Sequence, residues 1–240
     1  MKGSALERIA AAACPQHAEL VVEIGPGRGA LTEKLLRRAD RVVAVELDPY
    51  LASHLRLRFQ DDPRLEIVEG DALECDLAQW GPAPIVGNLP YYAATAIIAR
   101  AVRLPTPRAV FLIQKEVAER LVADPGTRAY GLLTVATAVF ARARLLFEVK
   151  PAAFHPPPKV DSAVILLEPH PAPAELGNPE AFLHFAAQCF RHKRKTIRNN
   201  LAETCGKDVV DAWPEAGLRA EQIGLGRLIE MYGRLNPSPA

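Results

Sequence analysis

Four polar side chains close short apolar runs in this chain: Glu23, Glu46, Asp71 and Asn88. The last opens the tetrad Asn88-Leu89-Pro90-Tyr91, whose residue types suit alkylation of an aromatic amine. Such an amine is a poor nucleophile, because its lone pair is delocalised into the ring. An asparagine side-chain oxygen and a backbone carbonyl can accept both of its N–H bonds. That draws the nitrogen toward a tetrahedral geometry and stabilises the positive charge developing on it. Pro90 restricts the residue before it and helps aim that carbonyl. Tyr91 offers a π face to a planar base, and to a neighbouring sulfonium. A strong general base is unnecessary, since the N–H becomes acidic once a methyl group has moved, and much of the acceleration comes from holding two reactants in line. Taken alone, the same four residues read equally as a turn with a capping Asn and a core Tyr.

The other three acids gather around a glycine turn, Glu23-Ile24-Gly25-Pro26-Gly27-Arg28-Gly29. Glycines let backbone amides approach a ligand closely. The spacing is G-x-G-x-G rather than the G-x-G-x-x-G of dinucleotide sites. An acid just before the first glycine would also face the like charge of a pyrophosphate, whereas a cationic sulfonium amino acid suits it. Glu46 follows about 20 residues later, where a carboxylate can accept both ribose hydroxyls of a nucleoside; the alternative is an ordinary surface acid. Asp71 can accept from the amino group of an adenine, or cap a helix, or both.

These residues need a frame that brings strand ends together. Leu20–Ile24, Arg41–Glu46, Leu65–Val68, Ala83–Val86 and Ala109–Ile113 read as buried strands, and Leu145–Val149 with Ala163–Leu167 as a closing hairpin-like pair. Helical stretches are expected at Thr32–Arg38, from Pro49 (Leu51, Leu55 and Phe59 at helical spacing), and at Ala93–Val102, Glu116–Val122 and Leu132–Phe140. Continuously apolar strands alternating with helices predict an α/β fold with a largely parallel sheet covered on both faces. Such sheets bind ligands beyond the carboxyl ends of their strands, where the four polar residues fall. Pro169–Pro179 reads as a linker. Beyond it Phe182, Phe185, Ala186 and Cys189 share a helical face, and further helices are expected over Lys195–Thr204 and Arg219–Tyr232. The division predicted is 1–169 and a small all-helical domain, 170–240, with Asn236–Ala240 as a frayed tail.

Composition narrows the class. The 240 residues carry a net charge of +1, so no global field announces a nucleic-acid partner. Cys14, Cys75, Cys189 and Cys205 form no C-x-x-C or Cys/His pattern, which predicts no metal and reduced thiols in the cytoplasm. No apolar run nears the roughly 20 residues that span a bilayer. Charge is instead local: Arg191-His192-Lys193-Arg194-Lys195-Thr196-Ile197-Arg198 carries five fixed positive charges and no acid. It is either a solvated helix face or a phosphate-binding surface, with Arg191, Lys193, Arg194, Lys195 and Arg198 as the phosphate-contacting set. Arg103, Arg108, Lys115 and Arg120 are candidates to extend it.

Several blocks carry a family resemblance. They are Glu23-Ile24-Gly25-Pro26-Gly27-Arg28-Gly29-Ala30-Leu31-Thr32, Val45-Glu46-Leu47-Asp48, Gly70-Asp71-Ala72-Leu73, Gly87-Asn88-Leu89-Pro90-Tyr91-Tyr92 and Gln114–Arg120. Two later blocks, Phe154–Val164 and Phe190–Leu201, are the specific ones. On these the chain resembles the small-subunit (16S) ribosomal RNA adenine N6,N6-dimethyltransferases, from about Val22 onward. The resemblance implies a Rossmann-like, seven-stranded class I methyltransferase sheet with a helical C-terminal domain. It implies S-adenosylmethionine as cofactor (product S-adenosylhomocysteine), held by Glu23, Gly25, Gly27, Glu46, Leu47, Asp71, Ala72 and Asn88. It implies Asn88, Leu89, Pro90, Tyr91 and Phe154 at the reaction centre, Phe154 stacking near the target base; from the sequence alone Phe154 is equally an ordinary core residue. The implied substrate is a pair of adjacent adenines in a hairpin near the 3′ end of 16S rRNA, within an immature small subunit. An adenine buried in a helix would have to be turned out of its stack to react. A monomer without metal or membrane partner is expected. The family normally begins with a basic segment holding a Gln-His-Phe or Gln-Asn-Phe motif that lies over cofactor and base; this chain opens Met1-Lys2-Gly3-Ser4-Ala5-Leu6 without it. Competing readings are a sister enzyme acting on a large-subunit adenine, a binding or assembly factor without chemistry, and, disfavoured by the glycine spacing, a nicotinamide oxidoreductase.

Overall fold

The computed structural model describes residues 3–235. Met1, Lys2 and the tail Asn236–Ala240 lie outside the described residues. The chain falls into two compact units. The first comprises residues up to Ala118 and Arg142–Pro169; the second takes in Glu119–Ala141 as well as the segment from His170 onward. Residues 119–141 thus group with the segment after Pro169 rather than with the sheet.

The first unit opens with α1 (Gly3–Ala13), whose Leu6, Ile9, Ala10 and Ala13 are buried. Then follow β1 (Ala18–Ile24), α2 (Thr32–Leu35), β2 (Ala39–Glu46), α3 (Pro49–Arg58), β3 (Leu65–Glu69), β4 (Ile85–Asn88), α4 (Ala94–Ala101) and β5 (Ala109–Gln114). After α5 (Lys115–Leu121) and α6 (Leu132–Ala138) the chain returns as β6 (Ala141–Val149) and β7 (Ser162–Pro169). The seven strands form one sheet in the order β3-β2-β1-β4-β5-β7-β6. The first five pair in parallel, and β7 runs antiparallel to β5 with Phe111 opposite Ile165. This is the seven-stranded class I methyltransferase architecture that the family resemblance implies.

Boundaries move where local chemistry overrides periodicity. Asp48 caps α3, its side chain accepting from Tyr50 N at 2.8 Å, with Pro49 in the first turn. α2 stops at Leu35 rather than Arg38, because Ala39 already opens β2 and Arg38 N closes a tight turn onto Leu35 O at 2.8 Å. β4 starts two residues later than expected and includes Gly87 and Asn88, so the reaction tetrad begins on the sheet itself. Gly87 has a packing reason: a Cβ there would stand 2.5 Å from the Ile24 carbonyl oxygen on β1. Only a residue without Cβ lets the two strands run this close.

In the second unit α7 (Pro179–Cys189) is capped by Asn178, so Pro179 opens a helix rather than ending a linker. α8 (Ile197–Cys205) and the short α9 (Lys207–Asp211) follow. α10 spans Leu225–Leu235; the expected start at Arg219 is a 3-10 turn instead, and α10 begins only after Gly224. Phe182 and Phe185 meet the Tyr232 ring at centroid distances of 5.6 and 5.7 Å, tying α7 to α10. Burying such aromatic faces contributes about 2–3 kcal/mol each.

Candidate functional site

The carboxyl ends of β1, β2, β3 and β4 open onto a crevice of about 580 Å³, in the usual range for small-molecule sites of roughly 300–1,000 Å³. Its glycine turn follows β1. Gly25 (φ 67°), Gly27 (φ 59°) and Gly29 (φ 80°) all lie in the left-handed region, which L side chains avoid. Gly25 N donates to Val45 O at 3.0 Å and Gly29 N to Pro26 O at 2.9 Å, folding the turn back toward β2.

Glu46, 6% exposed, ends β2 and lines the crevice. Its Oε2 accepts from Gly27 N at 2.9 Å and its Oε1 from Asp48 N at 3.0 Å. One carboxylate thereby fixes both the glycine turn and the start of α3. A carboxylate has about four lone-pair positions, so accepting capacity remains for hydroxyls of a bound molecule. Asp71 lines the crevice from beyond β3 and accepts from Leu73 N at 2.8 Å. It caps a turn rather than a helix.

Asn88 and Pro90 line the same crevice, and a Cβ built on Gly25 would sit 3.8 Å from the Asn88 carbonyl oxygen. The tetrad and the glycine turn therefore share one space. Leu89 is buried and anchors the loop, its N donating to Leu112 O at 3.1 Å. The Tyr91 hydroxyl hydrogen-bonds Ser162 Oγ at 2.9 Å, so the ring is held by β7. Tyr91 is not among the residues lining the crevice; Tyr92, 83% exposed, is. Phe154 packs against the apolar core of the first unit.

Glu23 is placed differently from a charge facing a cationic ligand. It is 1% exposed, lies outside the crevice lining and accepts from Thr32 Oγ1 at 2.6 Å. Burial pushes its carboxyl up to about 8, against the Thr32 hydrogen bond that lowers it and with the Glu46 charge adding to the rise. At neutral pH it mostly holds a proton.

Of the expected cofactor set, Gly25, Gly27, Glu46, Leu47, Asp71, Ala72 and Asn88 come together on the crevice, and Glu23 does not. Sequence reasoning missed the apolar walls Leu51 and Ile97, from α3 and α4. Their signal was present, since both sit at the first turns of helices entered from strand ends. Ser162 lies within the Phe154–Val164 block, but its role as the partner of Tyr91 was missed.

In the second unit most of the basic run lies outside a helix, and only Arg198 of its charges is on α8. Arg191–Lys195 is an exposed turn, and α8 begins at Ile197 after the extended Thr196. Asn200, 5% exposed, holds the turn from within: Oδ1 accepts from His192 N at 3.2 Å, while Nδ2 donates to Cys189 O at 2.8 Å and His192 O at 3.2 Å. Lys193 donates to Arg128 O at 2.6 Å, Arg191 lies 3.5 Å from Glu203, and Arg198 pairs with Asp211. Exposed ion pairs such as Arg191–Glu203 and Arg198–Asp211 contribute about 0–1 kcal/mol. Among the described residues no helix is long and apolar enough to cross a membrane, and no group of three or more His, Cys, Asp or Glu could hold a metal.

The family model described as "Ribosomal RNA adenine dimethylase" matches residues 3–223. Two relatives are named ribosomal RNA small subunit methyltransferase A. That of Acidobacterium capsulatum is 42% identical over 91% of this chain and 82% of its own. That of a Synechococcus strain is 44% identical over 85% and 76%. Among solved structures, a dimethyladenosine transferase from Plasmodium falciparum shares the fold, with a TM-score of 0.79, 24% identity and 98% of both chains covered. The 23S rRNA methyltransferase ErmE matches with a TM-score of 0.70, 30% identity, and 95% of this chain and 96% of its own covered.

Proposed function

The chain belongs to the ribosomal RNA adenine dimethylase family, and on that premise we propose that it transfers two methyl groups to N6 of each of two adjacent adenines, in a hairpin near the 3′ end of 16S rRNA in immature small subunits. The observation that carries the chemistry is the shared space: Asn88 ends β4 on the same crevice as Gly25, Glu46 and Asp71. The small-subunit target is favoured by the two relatives of that name at 42% and 44% identity, against 30% for the large-subunit enzyme.

The crevice suits S-adenosylmethionine, the family's methyl donor. Glu46 can accept the ribose hydroxyls and Asp71 the adenine amine, between the apolar Leu51 and Ile97. The absence of a Cβ on Gly25 keeps open the space toward Asn88. When bound, the cofactor supplies an electrophilic methyl on a sulfonium. The chain's own part is positioning. Asn88 Oδ1 and the Leu89 carbonyl accept the two N–H bonds of the target amine and stabilise its developing charge. Pro90 restricts Leu89 and aims that carbonyl. Tyr91, steadied by Ser162, and Phe154, steadied by the core, offer faces for the base. The buried Leu89 side chain fixes the loop. In the second unit Arg191, Lys193, Arg194, Lys195 and Arg198 present charge to RNA phosphates.

The test is Asn88→Ala. Methyl transfer to under-methylated small subunits should be abolished, while cofactor affinity stays within about tenfold, since Asn88 is one of several contacts. Normal turnover would sink the mechanism. Mapping the labelled adenines after incubation of the wild-type chain with small and large subunits decides the target. Label in large-subunit RNA would select a sister activity, and RNA binding without label an assembly factor.

A further inference from the structure

We infer that Arg100, a residue of α4 outside the crevice lining, is a positioning residue that sets the nucleoside end of the cofactor site; this rests on reading the crevice as that site. Its guanidinium gathers carbonyls from the turn after β3. Nη1 donates to Ala72 O at 3.2 Å and to Leu73 O, and Nη2 donates to Cys75 O. Ala72 and Leu73 line the crevice beside Asp71.

The turn belongs to neither sheet nor helix. Gly70 N ties the start of the turn to Glu46 O of β2 at 2.9 Å, and beyond it Leu73 N donates to Asp71 Oδ1 at 2.8 Å, Glu74 N to Asp71 O at 3.0 Å and Cys75 N to Asp71 O at 2.8 Å. The bonds to Asp71 give the turn its shape but leave its far side, Ala72 to Cys75, without a tie to the sheet. Arg100 supplies an attachment, to the helix that also lends Ile97 to the crevice. Hydrogen bonds from a charged donor are roughly twice as strong as neutral ones. A planar fork of five N–H groups can reach several carbonyls at once, which the single ammonium of lysine cannot reproduce. The Asp71 carboxylate and the wall beside it are thus held between the β2 bond at Gly70 and the Arg100 fork, a side chain outside the crevice lining.

The experiment measures affinity for S-adenosylmethionine, S-adenosylhomocysteine and adenosine in the full chain. Arg100→Met should weaken all three by a similar factor, about tenfold, as expected for lost charge-assisted bonds. The rate at saturating cofactor and the KM for RNA should change little. Arg100→Lys should recover only part of the affinity, and if the Met variant does not fold, the Lys variant is read instead against its own thermal melt. In an Asp71→Ala background the Arg100 substitution should lose most of its effect. Wild-type affinity in a folded Arg100→Met or Arg100→Lys protein, or full additivity with Asp71→Ala, overturns the inference. Glu46→Ala separates the two levels. If it weakens binding while the Arg100 variants do not, only the inference fails; if Glu46→Ala itself leaves affinity unchanged, the crevice is not the cofactor site.

Discussion

Glu23 gives the fold a pH dependence that one substitution should remove. Its carboxyl is fully buried, accepts from the Thr32 hydroxyl and is pushed from the ordinary 4.5 up to about 8. Below about pH 4 the side chain is protonated in folded and unfolded chains alike and contributes no slope. As pH rises, the unfolded chain ionises first while the folded one keeps its proton. The stability associated with the buried neutral acid is present at low pH and is lost progressively up to about pH 8. At about 1.36 kcal/mol per pKa unit, the whole loss is on the order of 5 kcal/mol. Glu23→Gln keeps the shape and an acceptor for the Thr32 hydroxyl but cannot ionise. Urea unfolding midpoints for both proteins at pH 5, 6.5 and 8 provide the assay. The variant should gain steadily on the wild type as pH rises, by several kcal/mol at pH 8. Other titrating groups cancel in the difference. Parallel stability curves would refute both the burial argument and the statement that Glu23 is neutral in the working protein.

Two further outcomes follow from geometry. Gly87→Ala places a Cβ 2.5 Å from the Ile24 carbonyl oxygen, a backbone atom that cannot swing aside; overpacking of this kind costs roughly 1–3 kcal/mol, and a melting temperature equal to wild type would show that β1 and β4 separate freely. Replacing Arg194 and Lys195 together by Ala should weaken RNA binding at low salt and reduce the slope of log affinity against log salt by about 2, with cofactor affinity unchanged; an unchanged slope would remove the basic turn from the RNA surface.

The sequence made legible what lies at strand ends. Asn88, Glu46, Asp71 and the glycines could be placed because a parallel sheet collects such residues on one edge, whatever the details of the helices around it. Residues that act across long chain separations were not legible. Ser162 holds Tyr91 from 71 residues away, and nothing near either residue encodes that meeting. Arg100 reads as a routine charge on an amphipathic helix until the turn beside it is folded. The basic run could be read as a helix face or as a phosphate-binding surface, and its local sequence did not show that the buried Asn200 amide ties Cys189 and His192 into a turn ahead of α8. Glu23 was read by charge when its depth decides its chemistry.

The strand order has a consequence for the growing chain. β7 lies between β5 and β6, yet β6 is synthesised first. Residues Ala109–Ile113 of β5 are all buried in the finished sheet, so their outer edge stays unpaired until β7 has left the ribosome. An open apolar edge is a template for wrong partners, and here it persists through the synthesis of about fifty residues, most of those from Lys115 to Asp161. Tyr91 waits through the same interval for Ser162. A chain interrupted between Gln114 and Ser162 would carry the glycine turn, the acids and the tetrad, and still offer a sticky sheet with its tyrosine unmoored.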